Sequence, residues 1–221
     1  MKTCIIFGAG VYDAQQPTTT EGCLVIAADG GYAKCRALGI SPDLVIGDFD
    51  SLGFAPQEGS VVKLPVEKDV TDLDAAVGLA LKRGCTEIHI YGGMGGRPDH
   101  TMANYALLAR LSGQGVRAYL YGEGYAVAAV TDGSLTLTGG AGETVSVFAW
   151  SESAEGVTLR GLQYPLEDAV LTNIFALGVS NSFAAETAEI SVKRGTLLVM
   201  REKRDLSGHD CGSAAPQCRY S

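Results

Sequence analysis

Hydrophobic periodicity changes character once along this chain, and that change limits the folds open to it. Up to about residue 122, short apolar runs alternate with helical stretches. "CIIFG" (4–8), "CLVIAADGG" (23–31), "DLVIGDFD" (43–50), "EIHIYGG" (87–93) and "VRAYLYG" (116–122) read as buried strands. Between them "YAKCRALG" (32–39), "TDLDAAVGLALKRG" (71–84) and "HTMANYALLARLSG" (100–113) read as helices, closed by Gly39, Gly84 and Gly113. A glycine at the end of a helix takes the left-handed conformation without steric cost. This alternation predicts βαβ units and a mostly parallel, Rossmann-like α/β sheet with helices on both faces.

From about residue 125 the helical period is lost. "AVAAVTDG", "SLTLTGG", "ETVSVFAW", "GVTLRGL", "AVLTNIF", "AEISVKRG" and "TLLVMRE" are β-rich runs separated by glycine-containing turns. That spacing predicts an antiparallel sandwich or barrel-like domain, of which an all-β sandwich is the expected form. The boundary falls near "YGEGYA" (121–126). The expected organisation is an α/β domain over 1–124, a β domain over 125–204 and a disordered tail over 205–221.

A formal net charge of -8 argues against a nucleic-acid partner, which calls for clustered Lys and Arg. No apolar stretch approaches the ~20 residues of a membrane span. The apolar part of "MKTCIIFGAG" is too short and glycine-broken for a signal peptide, so a cytoplasmic protein is expected. Cys4, Cys23, Cys35 and Cys85 lie in or beside apolar runs and read as small core residues in a reducing compartment. Cys211 and Cys218, near His209, match no common zinc spacing.

Ligands of an open parallel sheet collect beyond the carboxyl ends of its strands. Four acidic or glycine-rich segments are expected there: "ADGG" (28–31), "GDFDS" (47–51), "EKDVTDLD" (67–74) and "GGMGGRPDHT" (92–101). Each acid alone also has a structural use. Thr71 and Asp74 have capping-box spacing, Asp72 suits the positive end of a helix dipole, and Asp99 suits a cap. Capping does not require that Asp29, Asp48, Asp50, Asp69, Asp72 and Asp99 gather on one edge. Their mutual repulsion calls for a shared hard cation, and Mg²⁺ binds carboxylates together with substrate phosphates. For the phosphates, "GGMGGRPDHT" supplies unobstructed backbone N–H groups, the Arg97 guanidinium and a helix N-terminus, and Lys68 adds a point charge. The chain has no Gly-x-x-x-x-Gly-Lys-Ser/Thr loop, and "GAGVYD" (8–13) lacks the last glycine of a dinucleotide fingerprint.

In chain order, "AADGG", "PDLVIGDFDS", "EKDVTDLDAA", "GGMGGRPDHTMAN", "GLQYPL" and "GVSNSF" resemble the bacterial thiamine pyrophosphokinases over most of residues 4–200. The resemblance implies Mg²⁺-dependent transfer of a pyrophosphoryl group from ATP to the hydroxyethyl oxygen of thiamine, giving thiamine diphosphate and AMP. It implies a homodimer, with thiamine where the α/β domain of one subunit meets the β domain of the other. Carried over by motif, Asp48, Asp50, Asp69 and Asp72 are the catalytic acids around Mg²⁺. Asp29, Gly30, Ser51, Lys68, Arg97, Asp99 and His100 belong to the nucleotide site, and Ser180 and Asn181 to the thiamine site. Ser180 also suits an ordinary turn.

Three features depart from the pattern: "VYDAQQPTTTEG" (11–22) is too polar for the expected helix, Trp150 matches no thiamine-stacking position, and the tail extends beyond the resemblance. Two other functions stand as alternatives: a metal-dependent phosphoesterase, for which the acid cluster and "DHT" could activate water, and a non-catalytic thiamine or nucleotide sensor, against which the four acids weigh, since binding alone does not require them.

Overall fold

The computed structural model describes residues 2–12, 21–47, 60–64, 70–122 and 124–202. Two compact units divide the chain: Met1–Leu107 with Val116–Glu123, and Leu108–Gly115 with Gly124–Ser221.

The first unit is built on six strands: β1 (Thr3–Phe7), β2 (Leu24–Ala28), β3 (Leu44–Gly47), β4 (Ser60–Lys63), β5 (Glu87–Tyr91) and β6 (Arg117–Gly122). They lie in the order β6-β5-β1-β2-β3-β4, and every neighbouring pair is parallel. Nearly every residue of β1, β2, β3 and β5 is buried, and β1, β2 and β3 accordingly read as nearly continuous apolar runs, whereas β5 alternates Ile88 and Ile90 with buried Glu87 and His89. Alternate side chains serve opposite faces. On one face, Ile5, Phe7, Val25, Ala27 and Val45 form a core with Tyr32 and Cys35 of helix α1 (Gly31–Ala37). Helix α2 (Asp72–Lys82) lies over β1, β2 and β3 and buries Leu73, Ala76, Val77 and Ala80. Thr71 caps α2, its hydroxyl accepting from the Asp74 N–H at 3.1 Å.

Helix α3 (Pro98–Gly113) corrects two expectations at once. It begins two residues before His100, because proline suits the first helical turn, where its missing N–H has no partner to lose. It also runs through Gly113, and Gly115, at φ +74°, takes the left-handed position expected of Gly113. Gly39 and Gly84 stand in that conformation as expected, each just past its C-cap, Leu38 and Arg83.

In the second unit, β7 (Tyr125–Thr131), β8 (Ser134–Thr138), β9 (Thr144–Ala149), β10 (Ser153–Arg160), β11 (Leu166–Thr172), β12 (Gly178–Ser182), β13 (Thr187–Ser191) and β14 (Thr196–Glu202) are antiparallel. They form the runs β12-β9-β14-β7 and β11-β10-β13-β8. Burial alternates along them; in β9, Val145, Val147 and Ala149 are buried between half-buried Thr144, Ser146 and Phe148. Strand β12 is not an apolar run in the sequence. Its "GVSNS" carries one large apolar side chain, and it becomes a strand by pairing with β9 across an irregularity between Gly178 and Asn181. Among the described residues, no helix is long and apolar enough to cross a membrane.

Candidate active site

At the carboxyl ends of the parallel strands the loops interlock through bare backbone. The chain leaving β1 continues the β1–β5 ladder past both strands: Gly8 N–H donates to Tyr91 O at 2.7 Å, Gly10 N–H to Gly92 O at 2.7 Å, and Val11 N–H to Met94 O at 2.8 Å. A Cβ on Gly10 would lie 2.6 Å from the carbonyl oxygens of both Gly92 and Met94, so only glycine fits. Gly8 and Gly10 therefore serve loop-to-loop packing, consistent with the incomplete dinucleotide fingerprint.

The other loops meet this seam. A Cβ on Gly30 would stand 3.1 Å from the Ala9 methyl, and one on Gly8 would stand 3.1 Å from Leu73 Cδ1. Gly47, the last residue of β3, lies against the backbone of Asp29, whose N–H donates to Ile46 O at 2.8 Å. Asp29 itself sits in the left-handed region at φ +46°. The loop bearing Asp29 and Gly30, the end of β3 at Gly47, and the α2 N-terminus with Asp72 thus meet at the same sheet edge. Asp48, Asp50, Ser51, Lys68 and Asp69 lie outside the described residues. Asp72 opens α2 beside the Thr71 cap and is half-buried.

The "GGMGGRPDHT" loop follows β5. Gly92, Gly95 and Gly96 have φ of +67°, +79° and +75°, conformations that side chains with a Cβ rarely adopt. Helix α3 braces the loop from below: the buried Asn104 amide donates to Gly93 O at 2.6 Å, and Thr101 Oγ1 accepts from Gly95 N–H at 3.3 Å. Beside it is an open concavity lined by Gly95, Gly96, Pro98, Thr101 and Met102. Arg97 and Asp99 form an exposed two-point pair, Nη2 to Oδ2 at 2.6 Å and Nε to Oδ1 at 3.2 Å. Through that hydrogen bonding Arg97 holds the Asp99 carboxyl below its ordinary range. His100 follows on the exposed first turn of α3.

In the second unit, Ser180 stands at φ +57° in the irregular part of β12 rather than in an ordinary turn, and its N–H donates to Ser146 Oγ at 3.1 Å. Asn181 is only 3% exposed. Its carboxamide accepts from the N–H groups of Tyr164 and Ser182, each at 2.9 Å, and donates to Tyr164 O at 2.7 Å. Tyr164, the aromatic residue of "GLQYPL", is 67% exposed. The residues the sequence did not single out are Tyr164, Asn104 and Tyr12. Their signal was present only as quoted neighbours of the motifs, since contacts this distant in sequence carry no spacing rule.

Comparison with known proteins bears on the whole chain. The profile described as "Thiamin pyrophosphokinase, catalytic domain" matches residues 18–120, and "Thiamin pyrophosphokinase, vitamin B1 binding domain" matches residues 134–197. The thiamine pyrophosphokinase of Bacillus subtilis (strain 168) is 29% identical over 190 residues, 83% of this chain and 89% of that protein. A crystal structure of thiamine pyrophosphokinase from Bacillus subtilis superposes with a TM-score of 0.83 at 28% identity, covering 92% of this chain and all of that one. One from Geobacillus thermodenitrificans gives 0.79 at 26% identity, covering 94% and 99%. With both profiles falling in order along most of its length, the chain belongs to the thiamine pyrophosphokinase family.

Proposed function

We propose that the chain transfers pyrophosphate from ATP to the hydroxyethyl oxygen of thiamine at the carboxyl edge of its parallel sheet, releasing AMP. The observation that carries the siting is the interlock of the loops bearing Asp29, Asp72 and the glycines of 92–96 around Gly8 and Gly10. An enzyme for a triphosphate needs acids and phosphate donors on one edge, and this packing supports both. The oxygen-only donor set of Asp48, Asp50, Asp69 and Asp72 suits Mg²⁺ rather than a softer metal. When bound, Mg²⁺ would neutralise phosphate charge and polarise the phosphorus.

The chain's own groups do the rest. Attack at the β-phosphorus moves negative charge onto bridging and non-bridging oxygens. The N–H groups of the 92–96 loop, apart from that of Gly95, which Thr101 holds, and the Arg97 guanidinium are suited to stabilise it, with Asp99 orienting Arg97 until phosphate competes for it. One aspartate accepts the alcohol proton. Ser180 serves the thiamine pyrimidine, and Asn181 acts largely by holding Tyr164. The Tyr164 ring is an exposed aromatic face of the kind a thiazolium cation favours.

The β unit is read as a sandwich of its two antiparallel runs, and the subunits as a homodimer. Six exposed large apolar side chains within residues 164–179, Tyr164, Val170, Ile174, Phe175, Leu177 and Val179, support a second copy as the occupant of this segment. The four described cysteines are free, which suits a reducing cytoplasm.

The test is AMP formation from ATP with and without thiamine. This reading predicts AMP only when thiamine and Mg²⁺ are both present. Phosphate release without thiamine would indicate a phosphoesterase, and binding without turnover a sensor.

A further inference from the structure

Tyr12, the second residue of the polar 11–22 segment, is tied to the glycine loop. Its ring lies against Gly92, so that a Cβ at Gly92 would overlap it. Its hydroxyl donates to Gly8 O at 2.7 Å. The ring stacks on Phe7 with an interplanar angle of 12°, and Lys34 Nζ of α1 stands 4.7 Å from its centroid on the ring face. Burial keeps the phenol neutral, pushing it far above its ordinary value, so the hydroxyl remains a donor at any physiological pH.

Tyr12 therefore pins three things at one point: the end of β1, the residue that opens the 92–96 loop, and the helix that follows "ADGG". The backbone seam from Gly8 to Val11 fixes the same loop along its first half, and Asn104 and Thr101 fix it from the α3 side. Gly95 and Gly96 are left as the turn of a loop braced on both sides. A phosphate-binding loop gains most when its N–H groups are already aimed, because ordering them on binding costs affinity.

We propose that Tyr12 is a positioning residue for the nucleotide: with Gly10 it holds the 92–96 loop in its donor conformation through Gly92, without itself touching the phosphates. The proposal rests on the nucleotide reading of that loop given above.

The test uses the full chain, with a non-hydrolysable ATP analogue and Mg²⁺ titrated by calorimetry, and KM for ATP and for thiamine measured separately. Tyr12→Ala is expected to weaken analogue binding and raise the ATP KM by about tenfold, an order set by misaligned donors. The thiamine KM should change by less than about twofold, since no contact to thiamine is involved. Tyr12→Phe, which keeps the ring on Gly92 and loses only the hydroxyl, should restore most of the affinity. Gly10→Ala forces the two loops apart from the other side and should reproduce the ATP-selective loss, even where Tyr12→Ala does not fold. Unchanged nucleotide affinity in folded Tyr12→Ala or Gly10→Ala, or equal losses for both substrates, would overturn the proposal while leaving the family's reaction intact. A wild-type chain that binds no nucleotide would bring down the nucleotide reading, and this proposal with it.

Discussion

Asn181 and Tyr164, seventeen residues apart, close a two-point hydrogen-bonded ring: the Tyr164 N–H donates to the Asn181 carboxamide oxygen, and the carboxamide nitrogen donates back to Tyr164 O. The amide is spent on protein backbone, so its effect on a ligand passes through the exposed tyrosine it holds. Asn181→Ala leaves three backbone groups, the N–H and carbonyl of Tyr164 and the N–H of Ser182, to find new partners, which costs about 1–3 kcal/mol. We expect a lower urea midpoint and a thiamine KM raised by about tenfold, with the ATP KM little changed. Tyr164→Phe, which keeps the ring, should bind thiamine nearly as well as wild type, and Tyr164→Ala should not.

The exposed apolar residues after Tyr164 make a separate prediction. Ile174 is 91% exposed and Phe175 68% exposed, so charge there costs the isolated chain little. Ile174→Asp with Phe175→Glu should shift sedimentation from dimer to monomer with little change in circular dichroism. Because thiamine is read as lying between subunits, activity should fall together with dimer content. A double variant that stays dimeric would place the interface elsewhere.

Glu87 gives the pH prediction. It lies buried on β5 between His89 Nε2 at 3.1 Å and Arg117 Nη2 at 2.9 Å, while His89 Nδ1 meets Tyr121 OH at 2.9 Å. The hydrogen bond with His89 holds its carboxyl below the ordinary value of 4.5, against the opposing effect of burial. A carboxyl depressed by folding contributes stability that is complete above its unfolded value and disappears as pH falls through the folded one. Glu87→Gln should therefore cost about 2–4 kcal/mol at neutral pH, as for a broken buried ion pair. The gap between wild type and variant, followed by urea unfolding, should hold above the ordinary value of 4.5 and narrow as pH falls from there through the folded value. A gap that is constant into strong acid would mean that the charge on Glu87 contributes nothing.

Much of the fold was legible because parallel strands covered on both faces must be apolar throughout, as "CIIF" and "LVIG" are. Helix ends were legible where glycine sits alone after the last turn, as at Gly39 and Gly84. They were misread at Gly113, where a second glycine, Gly115, stands two residues on and takes the left-handed position instead. Strand β12 was invisible because its pairing with β9, not its composition, makes it a strand. The acids assigned to the site stand out in the sequence as motifs. The bracing of the glycine loop does not, since Tyr12 reaches Gly92 from a distant loop and Asn104 reaches Gly93 from the helix that follows, contacts for which no periodicity exists.

Asp72 tests the central claim most directly, because it is the described member of the four acids assigned to the metal. Its place at the start of α2 is secured by Thr71, so Asp72→Asn should fold with the wild-type circular dichroism spectrum and melting temperature within a few degrees. With saturating Mg²⁺, ATP and thiamine, the account predicts that this variant forms AMP about a hundredfold more slowly or worse, as when a preorganised electrostatic group is lost. AMP formation near the wild-type rate in the folded variant would contradict it.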